Sequence, residues 1–141
     1  MATVAVRHLI VIVVLQLAAG AANACLFATK TPPAGWFEWS SGLFAGDVTA
    51  VEKDAQKPLD VITVRVVETF KGPEAAGTTT LTVRLSSRYW TNCKVEMPSV
   101  GARVLVAMNA NSDAMLVPLS AAFTQDLRSY KARQPQPPTP K

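Results

Sequence analysis

Two cysteines, Cys25 and Cys93, and one histidine, His8, are the soft or near-neutral-titrating side chains of this 141-residue chain. Their number limits the chemistry. A Cys₄ zinc site or a thiolate-held Fe–S cluster needs about four soft ligands from one chain, so neither fits. His8 sits beside Arg7 at the head of an apolar run, residues 9–17, which gives way to small residues ending Ala22-Asn23-Ala24. A basic start, a short apolar stretch and an A-x-A end read as a secretory signal peptide, residues 1–24. The run is shorter than the ~20 residues of a membrane span. Cleavage after Ala24 would place Cys25 first and carry His8 away. A chain without imidazole has no Ser-His-Asp or Cys-His catalysis, no His-ligated metal and no His-based pH switch.

Export also sets the cysteine chemistry. Two cysteines in an oxidising compartment most simply form one disulfide, here Cys25–Cys93. Closing a loop of that length contributes roughly 4 kcal/mol in the chain-entropy account. A bridge of structure alone, a role for the Cys25 terminus in holding a partner's metal, and lipidation of Cys25 are three separate readings. The third fits least, because the residue three before Cys25 is Ala22 where a lipoprotein signal has Leu.

The formal charge of +4 is unevenly spread. Residues 25–127 hold nine basic and ten acidic groups, and the excess lies in Arg7, Arg128, Lys131, Arg133 and Lys141. A near-neutral body argues against nucleic acid as a partner. Arg88-Tyr89-Trp90 pairs a cation with stacking rings, as single-strand binders do, but export argues against that use. An oligosaccharide would use similar aromatics. The acids Asp47, Glu52, Asp54, Asp60 and Glu68 could supply a catalytic pair. In or beside strands and turns they read as solvated groups, so no enzyme and no cofactor is expected.

The elements that carry these residues follow from periodicity. After an extended lead-in, Thr31 is an expected N-cap for a short helix over about 34–41, with prolines at its first positions. That helix carries Trp36, Phe37 and Trp39 as core-facing aromatics. A strand is expected over 43–52 and a turn over 53–60. The stretch 61–70 alternates through Ile62, Val64 and Val66. Val67 and Phe70 break the alternation, which predicts a bulge or a strand end there. The stretch 78–85 turns Leu81, Val83 and Leu85 inward. A long connection, 86–101, leads to a buried strand over 103–108, a turn and a last strand over 114–119. Ser120 reads as the N-cap of a helix over 121–131, with Phe123 and Leu127 at i, i+4. Residues 133–141 form a proline-rich, extended tail.

Five short strands with little room for crossover helices argue an all-β domain over residues 25–132. A five-stranded Greek-key OB-fold barrel with a short N-terminal and a C-terminal helix fits that count, and a small sandwich does too.

Four stretches resemble one family. Cys25 stands at the first position after the leader. The stretch Leu43-Phe44-Ala45-Gly46-Asp47-Val48 follows the N-terminal segment. The stretch Val67-Glu68-Thr69-Phe70-Lys71-Gly72-Pro73 ends a strand in a K-G turn. Cys93 follows the third strand and precedes the hydrophobic strand Val104-Leu105-Val106-Ala107. Over about residues 25–131 the chain resembles the netrin-like domain, in the branch of the tissue inhibitors of metalloproteinases. The simple leader and single disulfide point to a bacterial member.

The resemblance implies an OB barrel with a helix packed on it. It also implies inhibition of a zinc metalloprotease, with no metal of the chain's own. The α-amine and carbonyl of Cys25 would clasp the partner's zinc, with the bridge to Cys93 anchoring that terminus. Leu26 would enter the specificity pocket. Phe27, Tyr89, Trp90, Thr91 and Asn92, near the bridge, would complete the contact ridge. Two positions depart from the family. Phe27 replaces its usual second cysteine, and Leu26 is larger than its small or hydroxylated residue. The other reading is a cell-envelope interaction module, secreted or periplasmic, which shares the fold and inhibits nothing.

Overall fold

A computed structural model describes residues 31–74, 77, 79–111 and 113–135. Among the described residues there are five strands and three helices. They are α1 (Pro33–Trp39), β1 (Gly42–Lys53), β2 (Leu59–Lys71), β3 (Thr80–Ser86), α2 (Tyr89–Asn92), β4 (Arg103–Met108), β5 (Ala114–Pro118) and α3 (Ala121–Arg133). The domain is mostly β, as the alternation predicts. The strands form one sheet in the order β3-β2-β1-β4-β5, and every neighbouring pair is antiparallel.

β1 is the central strand, and its apolar residues are buried where it lies between β2 and β4. Its register against β2 slips at three places. The partner of Leu43 is Lys71 and that of Phe44 is Thr69, so Phe70 is skipped, and Val67 is skipped in the same way. These are the two residues that break the alternation of β2, so the expected irregularity is a pair of bulges. Thr49 is the extra residue on β1. Bulges bend a strand and increase its twist, which curls this sheet. Gly46 lies at one of the slips. A Cβ there would overlap Val64 Cγ1 and stand 2.6 Å from the Arg65 carbonyl oxygen. Gly72 closes β2 at φ 94°, a conformation that only glycine adopts without strain.

The sheet is buried on both faces. Leu43, Val48, Ile62, Val64, Val104, Leu105 and Leu116 are fully enclosed, with the adjacent Val104 and Leu105 on opposite faces, and Trp36, Phe37 and Leu127 of the helices belong to the same cluster. Val83 and Leu85 point inward as expected, and Leu81 is half-buried. Ser120 caps α3, its Oγ accepting from the Phe123 N–H at 3.1 Å. Leu127 then anchors that helix, and Arg128 and Lys131 tie it to β2. The Arg128 guanidinium meets Glu68 at 2.6 Å, and Lys131 Nζ donates to the Thr69 carbonyl at 2.7 Å.

Two expectations need correction. Pro32, not Thr31, occupies the N-cap of α1, and no side chain caps it. Two successive prolines set the entry into this helix through their fixed φ. The connection 86–101 is not wholly irregular, because α2 forms inside it. The five-stranded sheet itself is not closed. β3 and β5 are its two edges and run in the same direction, and no ladder joins them among the described residues. A cleft of about 430 Å³ lies between them.

The edge of β5 explains the gap. The bonds Leu119 N–H to Arg103 O and Asn109 N–H to Asp113 O put alternate β5 residues in register with β4, so Leu116 turns its backbone groups outward. The Tyr89 hydroxyl occupies both, donating to Leu116 O at 3.0 Å and accepting from Leu116 N–H at 3.3 Å. Pro118, also turned outward, has no N–H to give. Among the described residues no helix is long and apolar enough to cross a membrane. Residues 1–24, expected to be a signal peptide, and residues 136–141 of the expected tail lie outside the described residues.

Candidate partner-binding surface beside Cys93

The chain leaves β3 through α2 and reaches Cys93 one helical turn later. The Cys93 N–H donates to Tyr89 O at 2.9 Å. Cys93 is 4% exposed, and no free cysteine is present among the described residues. Two aromatic residues hold the turn in place. Trp90 is 7% exposed, and its indole N–H donates to Asp60 Oδ2 at 2.7 Å. The Tyr89 ring meets Trp90 edge-on at 5.0 Å. Burial pushes the Tyr89 phenol above its ordinary value of 10.0, and the bond to Leu116 O opposes that in part. Asp60 is itself 1% exposed, and its Oδ1 has no hydrogen-bond partner among the described residues.

The residues after Cys93 face the other way. Lys94 adopts φ 53°, uncommon for a side chain larger than glycine. It redirects the chain so that the Val95 N–H bonds Trp90 O at 3.0 Å and the Val95 side chain is buried. Pro98 is buried too. At the far end, Gly101 N–H donates to Val48 O at 2.8 Å, and Val48 N–H donates to Ala102 O at 3.0 Å. This loop is therefore fastened at both ends and by two inward side chains. From it project Met97, 39% exposed, and Val100, 65% exposed, the large exposed hydrophobic residues of the described chain. A groove of about 840 Å³ runs under Lys94 and Glu96 to Pro32, Trp36 and Phe123.

The predicted site residues divide into three sets. Cys25, Leu26 and Phe27 lie outside the described residues. Tyr89 and Trp90 point inward, and their polar tips are used within the fold. Thr91 and Asn92 are exposed, on the turn that ends at Cys93. Met97 and Val100 were not singled out by type. They are aliphatic residues in a polar, proline-containing connection, and their exposure follows from the inward placing of Val95 and Pro98.

The five acids considered as a catalytic set have varied surroundings. Asp47 pairs with Arg103 at 2.6 Å, and Arg65 lies at 3.8 Å. Glu68 pairs with Arg128. Asp54 Oδ1 accepts from the N–H groups of Gln56 and Lys57 in the β1–β2 turn. Asp60 serves Trp90, and Glu52 is exposed on β1. No group of three or more His, Cys, Asp or Glu suited to a metal is present among the described residues. No protein-family model matches the chain, and no curated protein matches it either.

Proposed function

We propose that this chain is an exported protein-binding domain that inhibits a zinc metalloprotease through the Cys25 terminus. The observation that carries the reading is the loop beside Cys93, which holds two aliphatic side chains in solvent on a fastened backbone. Apolar side chains held in solvent on a fixed backbone offer a partner surface that needs little ordering on binding. Two further features support it. Cys93 is buried and has no free thiol, as a bridge to Cys25 requires. The strand order, with β3 and β5 parallel and facing across a cleft, is the one a partly open Greek-key OB barrel would have.

The chemistry is direct. Catalytic zinc keeps an open position for water or substrate. A neutral α-amine can fill it, and such an amine titrates near pH ~8 and loses its proton readily beside a metal. A bridge from the same residue to Cys93 would hold that amine in place and lower the entropy lost on binding.

The second reading is an envelope interaction module, secreted or periplasmic, with the same fold. The loop favours it as well, because Met97 and Val100 can contact a partner that holds no zinc. One additional Ala before Cys25 separates the two. Under the first reading it abolishes inhibition across a panel of zinc endopeptidases and leaves the Tm unchanged. Inhibition that survives the insertion rules out chelation by this terminus. The intact, unreduced mass of the exported protein provides the accompanying check. It should show cleavage before Cys25 and a mass two hydrogens below that of the dithiol.

A further inference from the structure

A second concave site lies away from Cys93, between α1, the end of β2 and the last turns of α3. Its volume is about 620 Å³, within the ordinary range for small-molecule pockets. Phe37, Phe70 and Tyr130 line it, and the rings of Phe37 and Tyr130 meet at 4.8 Å. Two ammonium groups face the same space. Lys71 Nζ donates to the Phe37 carbonyl at 2.6 Å, and Lys131 Nζ donates to the Thr69 carbonyl at 2.7 Å. Each bond fixes a lysine that is otherwise flexible and uses one of its three protons. Neither lysine has a carboxylate within ion-pair distance among the described residues. Glu38 and Glu74 also line the cavity. The four charges sum to zero, which disfavours a dianion more strongly than a monoanion.

From this arrangement we infer that the cavity binds a small carboxylate carried on an acyl or aryl body. The apolar body lies against Phe37, Phe70 and Tyr130, and the carboxylate accepts the remaining protons of Lys71 and Lys131. The site is independent of the proposed inhibition and uses none of its residues. Lys71, the last residue of β2, reaches α1 through its side chain, and Gly72 at positive φ turns the chain directly after it.

The test titrates the exported protein with octanoate, with octan-1-ol and with inorganic phosphate, followed by calorimetry and by the NMR signals of Phe37 and Tyr130. The expected result is saturable octanoate binding that moves both sets of signals. Octan-1-ol and phosphate should each bind at least about tenfold more weakly. Lys131→Gln should weaken octanoate by about tenfold, and Lys131→Arg should restore most of it. Lys71→Gln should act in the same direction. Because Lys71 also ties down α1 and Lys131 also ties α3 to β2, the Tm of each variant is measured beside its affinity, and the comparison of Lys131→Gln with Lys131→Arg is decisive. Equal binding of octanoate and octan-1-ol, equal binding of phosphate, or an unchanged affinity in Lys131→Gln overturns the proposal. So does binding that appears only when residues 136–141 are removed, which would identify the chain's own tail as the occupant.

Discussion

Two adjacent segments between β3 and β4 use their apolar residues in opposite ways. On α2, Tyr89 and Trp90 turn inward, and each places a polar tip on a partner in the sheet: the Leu116 backbone and Asp60. On the loop that follows, Val95 and Pro98 turn inward, and Met97 and Val100 face solvent. Aromatic residues near a presumed binding ridge invite assignment as contacts, since Trp and Tyr dominate interface energetics. Here they are the supports, and two aliphatic residues form the exposed surface. A large side chain with one polar tip suits the place where a turn must be joined to a sheet. A side chain with no polar group has no such use and remains available to a partner.

Substitutions along the two segments test this division. Trp90→Ala has the largest expected effect, a loss of about 3–5 kcal/mol from cavity formation, together with the stranded Asp60 carboxyl. Chemical denaturation measures it, and a loss below 1 kcal/mol would place Trp90 outside the core.

Tyr89→Phe comes next. It leaves the Leu116 N–H and carbonyl without their partner, at a cost of about 1–3 kcal/mol. It also has a pH signature. Burial raises the folded-state pKa of Tyr89 above its ordinary value of 10.0, so the unfolded chain releases this proton first. The associated stability is fully present below pH 10.0 and is lost as the pH rises through the folded-state value. The difference in Tm between wild type and Tyr89→Phe should therefore shrink above that pH. A difference that holds constant would show that Tyr89 does not titrate differently on unfolding.

Asp60→Asn should cost less, about 1 kcal/mol or below, because the amide oxygen can still accept from Trp90. A loss as large as that of Trp90→Ala would mean that the negative charge itself holds the turn. The smallest stability effect belongs to Met97→Ser and Val100→Ser, within about 0.5 kcal/mol. Their partner affinity should nevertheless fall by about tenfold or more. Unchanged affinity in the double variant would remove the loop from the interface.

Strands β2 and β3 were legible because their burial alternates from one face to the other, and β4 because its short apolar run is buried on both. Ile62, Val64 and Val66 alternate with Thr63 and Arg65, and the two residues that break this pattern, Val67 and Phe70, are the ones skipped in the register with β1. Ser120 was legible as a cap because its hydroxyl acts within its own turn. Thr31 was misplaced because the same local rule was applied where two prolines set the entry of the helix. The direction of Tyr89 and Trp90 had no local signal at all. Their partners, Leu116 and Asp60, lie 27 and 30 positions away in the chain.

Periodicity over a few residues thus accounts for the strands, their bulges and the C-terminal helix, since burying one face of an element needs only the pattern within it. The sheet order, the open edge between β3 and β5, the inward aromatics, and the meeting of Lys71 with Lys131 have another origin. Each depends on groups distant in sequence that meet only when the chain is folded. Their placement follows from satisfying buried polar groups across elements, as the Tyr89 hydroxyl on Leu116 and the two lysines on backbone carbonyls do.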